Sequence, residues 1–461
     1  MTPERAAAGA PRAMLAALAA AVLAAGALVA ALPARAAWLE PDPSYREAQI
    51  TLRLALRDTA GRANDPGALD SLGVALLRLG RQADAEKVFR CVLALAPHDM
   101  AAAAALGKLA LFRDRPAEAE SLLAVAGRDD PGVVYDLMCA RLRRGEYAAA
   151  AELATAAGAE GRGALLARLA EDGPYAVSGD AAETQLLWTR VSPVPLVRVR
   201  LNGVPVLMAL DTGTGDLLVS QMYARRCNVA PVGGQSLAFW DGTRVAVRGA
   251  VVKRLDLGGL RVERVPAGIL PLHKWSLEVN PQAEEVAGVI GLNLLRRFTP
   301  TLDFARRRLE LRRPGADPGA GRDAARVPFE IWGESELTVY GTLAGGRRMA
   351  MVVATGLPGA GVGAPEEVMD EIGVRPSNLS RLVKSAGAFV QGRPWYEVSV
   401  PSVVVGPLVR DRVRGWSGAL DSGELWRHGV RRDAILAGEF FRGRRVTLDW
   451  ERHELVVEEG E

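Results

Sequence analysis

One stretch of this 461-residue chain is written twice. Gly203 to Gly213 reads GVPVLMALDTG, and Gly346 to Gly356 reads GRRMAMVVATG, 143 positions later. Further pairs follow at similar shifts. Gly387-Ala388-Phe389 with Gly392 matches Leu237-Ala238-Phe239 with Gly242 at 150, and Val413 matches Val265 at 148. Thr447-Leu448-Asp449-Trp450 matches Thr301-Leu302-Asp303-Phe304 at 146, and Ile435-Leu436-Ala437 falls where Val289-Ile290-Gly291 stands. Loop insertions and deletions produce such small drifts. The repeat demands two similarly folded units, 183–313 and 327–459, joined by a Pro-, Gly- and Ala-rich linker over 314–326.

Each unit reads as β structure. Val197 to Leu201 alternates apolar and polar residues, Asn202-Gly203 is a strong hairpin signal, and Val204 to Leu210 is a buried apolar strand. That strand runs directly into Asp211-Thr212-Gly213-Thr214-Gly215. Gly213 lets the backbone approach a partner closely, and the Thr212 hydroxyl can bond nearby backbone groups. An acid at the end of a buried strand has its ionisation set by its surroundings. A bare D-T-G triplet, taken alone, favours a simple strand-ending Asx turn.

The run from Val204 to Ser220 resembles the active-site strand and loop of aspartic peptidases. Ala287-Gly288-Val289-Ile290-Gly291-Leu292 resembles that family's second landmark. Thr301-Leu302-Asp303-Phe304 with Leu309-Glu310-Leu311 resembles its closing hairpin. The likeness is to the retroviral-type, retropepsin-like branch and covers about 120 residues. It implies an all-β bilobal acid-protease fold, with Asp211, Thr212 and Gly213 as the catalytic motif. It also implies a substrate-covering flap whose tip is Trp240, Asp241 and Gly242. Such enzymes use two carboxylates that share a proton, one activating water and the other donating to the scissile carbonyl. The second unit supplies Ala354, Thr355 and Gly356 in that frame, so its acid is missing. Asp421-Ser422-Gly423 does not follow a buried strand and reads as a loop decoy. Asp303 and Asp449 read as structural.

Ahead of the β text lies a different repeat. Gly73 and Gly107, Ala85 and Ala119, Phe89 and Leu123, and Pro97 and Pro131 are each 34 residues apart. The pattern resembles the tetratricopeptide (TPR) repeat and predicts an α-helical solenoid over 44–172. A third, less regular copy runs from Pro131 to about Ala157, with Gly145 in its turn, and Tyr45 to Asp58 reads as the second half of a degenerate leading one. Such arrays bind peptides or partner proteins, or serve as spacers.

The first 36 residues have the three-part signature of an export signal. Arg5 and Arg12 precede an apolar run from Ala13 to Leu32, and Ala34-Arg35-Ala36 supplies a cleavage site before Ala37. The expected location is periplasmic or secreted; an uncleaved N-terminal anchor is the alternative. Residues 1–36 carry +2 of the formal net +3, leaving the rest too neutral for a nucleic-acid footprint. Three cysteines and four scattered histidines exclude a disulfide framework, a four-cysteine zinc site and a histidine-rich metal centre. No metal and no cofactor are therefore expected, and the cysteines read as buried free thiols.

The leading functional expectation is an exported aspartic-type endopeptidase in which Asp211 meets its twin from a second chain, since a two-fold interface supplies such a pair automatically. One alternative is a pseudo-peptidase whose two lobes close on each other and bind extended peptides without cutting. The other is a scaffold in which the repeats do the recognition. The partners these readings imply are a peptide or protein substrate, a second copy of the chain, and a protein on the helical array.

Overall fold

The computed structural model describes residues 45–190, 193–238, 244–280, 284–317, 319, 321, 323–377, 395–420, 426 and 428–460; side chains of 235–238, 244 and 278 are excluded. The expected export signal and the Asp421–Gly423 decoy lie outside the described residues.

The N-terminal part is helical: α1 (Tyr45–Gly61), α2 (Pro66–Arg78), α3 (Gln82–Leu95), α4 (Met100–Phe112), α5 (Pro116–Ala126), α6 (Pro131–Arg143), α7 (Tyr147–Ala156) and α8 (Glu160–Asp172). Each packs on the next through a short connection, which makes neighbours antiparallel. The glycine spacing has a steric cause. A Cβ at Gly73 would sit 2.6 Å from the Phe89 ring, and one at Gly107 would sit 2.7 Å from Leu123. Asp65, Asp99 and Asp130 cap α2, α4 and α6 by accepting from the N–H groups of Gly67, Ala102 and Gly132. Gly80, Asp114 and Gly145 take the left-handed turn position. Among the described residues no helix is long and apolar enough to cross a membrane.

Pro97 lies in the turn after α3, whereas Pro131 opens α6, so their 34-residue spacing does not mark equivalent sites. The capping aspartates Asp65, Asp99 and Asp130 are 34 and then 31 residues apart, so the second unit is three residues shorter than the first. Cys139 and Cys227 are buried free thiols, but Cys91 is exposed.

The β part begins with β1 (Ala176–Ser178), β2 (Glu183–Arg190), β3 (Leu196–Leu201), β4 (Val204–Leu210) and β5 (Leu217–Ser220). After α9 (Gln221–Arg226) come β6 (Pro231–Ala238), β7 (Arg244–Leu257) and β8 (Leu260–Leu270). Helix α10 (His273–Val279), β9 (Val286–Ile290), α11 (Leu292–Leu295), β10 (Thr299–Asp303) and β11 (Arg308–Arg312) complete the first lobe. The second lobe opens with β12 (Ala325–Pro328), β13 (Glu330–Trp332), β14 (Glu336–Leu343), β15 (Met349–Ala354) and β16 (Val362–Ala364). It continues through α12 (Glu366–Glu371), β17 (Tyr396–Val405) and β18 (Leu408–Ser417) to β19 (Ala434–Ala437), β20 (Arg444–Asp449) and β21 (Glu454–Glu459). The expected linker is shortened at its end, because Ala325 and Arg326 already pair with β21.

The two lobes repeat one strand order. In the first, β3-β4-β9-β5-β8-β7 are neighbours; in the second, β14-β15-β19-β16-β18-β17 are. In each, the motif-bearing strand (β4 or β15) runs parallel to the later apolar strand (β9 or β19). The lobes join in a shared sheet ordered β12-β21-β20-β10-β11-β2. At its centre β10 pairs antiparallel with β20, and Thr301 meets its own equivalent, Thr447, with hydroxyl oxygens 2.8 Å apart. Pairing of an element with its own copy marks a local two-fold axis. Asp303 and Asp449 cap the flanking hairpins, accepting from Ala305 and Arg306 and from Glu451 and Arg452 respectively.

Candidate active site

Strand β4 carries Asp211 to the axis. Val206 to Leu210 are buried between β3 and β9, and the Asp211 N–H donates to the Ile290 carbonyl at 3.1 Å. The turn then closes on the carboxylate. Oδ1 accepts from the Gly213 N–H at 2.8 Å, and Oδ2 accepts from the Thr214 hydroxyl at 2.8 Å. Gly291 is required beside this turn, since a Cβ there would lie 2.2 Å from the Gly215 carbonyl oxygen.

The remaining donor comes from the other lobe. The Gly356 N–H donates to Asp211 Oδ1 at 2.8 Å. A Cβ at Gly356 would lie 2.4 Å from Asp211 Cγ, so only glycine brings this backbone to the acid. Beneath the carboxylate the two threonines exchange bonds. Thr212 N–H donates to Thr355 Oγ1 (3.1 Å), and Thr355 N–H donates to Thr212 Oγ1 (3.2 Å). The Thr212 hydroxyl donates to the Val353 carbonyl (2.7 Å) and the Thr355 hydroxyl to the Leu210 carbonyl (3.2 Å). The motif of each lobe thus grips the strand of the other.

The leading expectation places a twin Asp211 from a second chain at this point; within the single chain, the motif of the second lobe stands there. The face needed for self-pairing is already occupied by Thr355 and Gly356 of the same chain. Ala354 stands where the second acid would stand. Its methyl is 0% exposed and packs in a cluster that includes Leu357, Trp395, Trp416, Trp426 and Ala48 of α1. Burial pushes the Asp211 carboxyl above the ordinary aspartate range, against the pull of its bonds from Gly213, Thr214 and Gly356. Such an acid can keep a proton to higher pH and donate it to a bound carbonyl, or lose it and act as a base. It cannot do both at once. Among the described residues no group of three or more His, Cys, Asp or Glu side chains could hold a metal ion.

Residues 197–294, about a fifth of the chain, match the family described as aspartyl protease. The first lobe carries an aspartyl-protease-type domain. The match ends before the second lobe begins, so it includes Asp211 but not Ala354. No match is found among curated proteins. Among solved structures, a retropepsin-like aspartic protease from Rickettsia conorii is similar at 13% identity, with a TM-score of 0.20 over 30% of this chain and 93% of that one. Basic 7S globulin from soybean is similar at 13% identity, with a TM-score of 0.35 over 62% of this chain and 96% of that one.

The expected flap tip of Trp240, Asp241 and Gly242 lies outside the described residues. Strands β6 and β7, which lead into and out of it, form an antiparallel ribbon of the first lobe. Sequence reasoning missed Asp216, five residues beyond Asp211. Its half-buried carboxylate accepts from Asn293 (2.8 Å) and from the Tyr175 hydroxyl (3.3 Å), and it pairs with Arg162 of α8 at 2.9 Å. The sixth position of D-T-G-T-G-D was visible as a second acid, but its partner lies 54 residues upstream in another domain.

Proposed function

We propose that this protein is an exported peptide-binding member of the aspartic-peptidase type whose lobes close on each other within one chain and whose carboxylate-pair hydrolysis is lost. The observation that supports it most directly is the reciprocal Thr212–Thr355 grip, which sets a buried methyl opposite Asp211. Hydrolysis in this manner needs a base for the water and an acid for the carbonyl in the same transition state. Asp211 can fill one role only. Its raised proton affinity suits it to donate a hydrogen bond to a carbonyl of an extended chain lying between the lobes. In this reading the lobes are products of an internal duplication, and the tetratricopeptide-like array binds or presents a protein partner.

The complete set of donors around Asp211 favours a second reading, a slow endopeptidase working through one carboxyl. One experiment separates them. The chain from Ala37 onward is incubated with fluorescent peptides cut from an unfolded protein, from about pH 4 to 7, where a single carboxyl changes state. Binding is followed by anisotropy and cleavage by mass spectrometry. Saturable binding without new termini is expected. Cleavage that disappears in Asp211→Asn overturns the proposal in favour of the second reading. Absence of peptide binding by the wild type overturns both.

A further inference from the structure

One contact joins three parts of the molecule. Arg162 lies on α8, the last helix of the array, and is only 8% exposed. One arm of its guanidinium pairs with Asp216 in the first lobe at 2.9 Å, and the other reaches Glu334 in the hairpin between β13 and β14 of the second lobe. Asp216 closes the loop that begins at Asp211. Between them, the Thr214 carbonyl accepts from the Leu292 N–H (2.7 Å) and the Gly215 carbonyl from the Asn293 N–H (3.0 Å). Thr214 also supplies the hydroxyl that holds Asp211 Oδ2. The loop is therefore pinned at Asp211 by the opposite lobe and at Asp216 by the array.

The helix is seated for this task. Its Gly161 lies so close to β6 that a Cβ there would overlap the Gly234 carbonyl, and Leu165 lies against Gly249 of β7. Backbone contact this close leaves α8 little freedom to slide, so the guanidinium arrives at a fixed point. A buried carboxylate that loses its counter-charge must either take up a proton or move toward water. Either outcome changes the loop that bears Thr214.

We propose that Arg162 is a positioning residue of the Asp211 site, so that the helical array forms a structural part of that site. The proposal rests on the reading that Asp211 is the ligand-facing acid, but its test reads the proton on Asp211 and is independent of peptide binding or cleavage. In the full chain labelled with carbon-13 at aspartate carboxyls, Asp211→Asn identifies the Asp211 resonance. Arg162→Met is expected to raise the Asp211 midpoint by about half a pH unit, a roughly threefold change in proton affinity. The rise follows because a positive charge is lost beside the loop. Arg162→Lys should restore most of the wild-type value. If Arg162→Met lowers thermal stability but its Asp211 titration superimposes on the wild type, Arg162 is only a brace and the proposal falls. If that variant does not fold, Arg162→Met with Asp216→Asn removes the charge together with its partner. A midpoint in the double variant shifted from that of Asp216→Asn alone then supports the proposal, and an unshifted one overturns it.

Discussion

The two lobes share a strand order and meet across one axis, yet the same face of the same strand is covered differently in each. In the first lobe, Leu207 and Ala209 of β4 pack beneath that lobe's own helix α10, against Trp275 and Val279. In the second, the equivalent strand β15 faces foreign structure. Ala350 joins a core made largely of array residues, with Leu77, Phe89, Leu109 and Phe112. Ala354 joins the tryptophan cluster that includes Ala48 of α1. Trp332 of β13 is fully buried in the array and stacks on Phe112 with ring centroids 4.7 Å apart. The lobe that has alanine at this position is the lobe on which the helical array packs. A carboxylate at 354 would sit among three tryptophans with its hydration removed, whereas a methyl is at home there.

That contrast can be broken most forcefully at the dock. Trp332→Ala should cost about 3–5 kcal/mol, because it empties a large buried site shared by array and lobe. Denaturant unfolding should show both regions weakened together; loss confined to the helices would mean that the dock is loose. Next in size is Ala354→Asp, expected to destabilise the chain by about 3 kcal/mol at neutral pH. The added acid is held above its unfolded proton affinity. Its penalty is therefore absent below the ordinary aspartate range and grows as pH rises through the folded-state midpoint. At acid pH, where it can share a proton with Asp211, this variant should gain peptide cleavage. A neutral effect on unfolding at every pH would show that the position is wetter than its burial implies.

Thr212→Val and Thr355→Val sharpen the symmetry rather than the contrast. Each strands two buried polar partners and should cost about 1–3 kcal/mol, by similar amounts. A cost at Thr212 without one at Thr355 would contradict the mutual grip. The smallest effect is expected at Asp211 itself. Its folded-state proton affinity is raised, so its carboxyl favours folding below the ordinary aspartate range, and that advantage is lost as pH rises through the folded midpoint. Asp211→Asn should therefore flatten the stability-versus-pH curve on the neutral side of that range. A wild-type curve that rises with pH relative to the variant would reverse the assigned sign.

Much of the β architecture was legible because its signals are local. Asn202 and Gly203 both take positive φ, as the turn joining β3 to β4 requires. The Thr301 and Thr447 spacing marked strands that prove to be partners of each other. The helical units were legible through Gly73 and Gly107, whose missing side chains admit Phe89 and Leu123. The equivalence of Pro97 with Pro131 does not hold, since a proline can serve a turn or open a helix and spacing alone does not distinguish the two. The Arg162–Asp216 pair was not legible at all. A buried ion pair between domains leaves no periodicity in either of them.

Taken alone, the amino-acid order settled that two like lobes follow a helical repeat and that one lobe brings an aspartate where the other brings alanine. These are properties of short windows, where turn chemistry and apolar alternation act over a few residues. Which surface meets Asp211 was decided only in three dimensions. A chain that carries both halves can pair them internally, and here the threonine and glycine of the tethered half hold the acid.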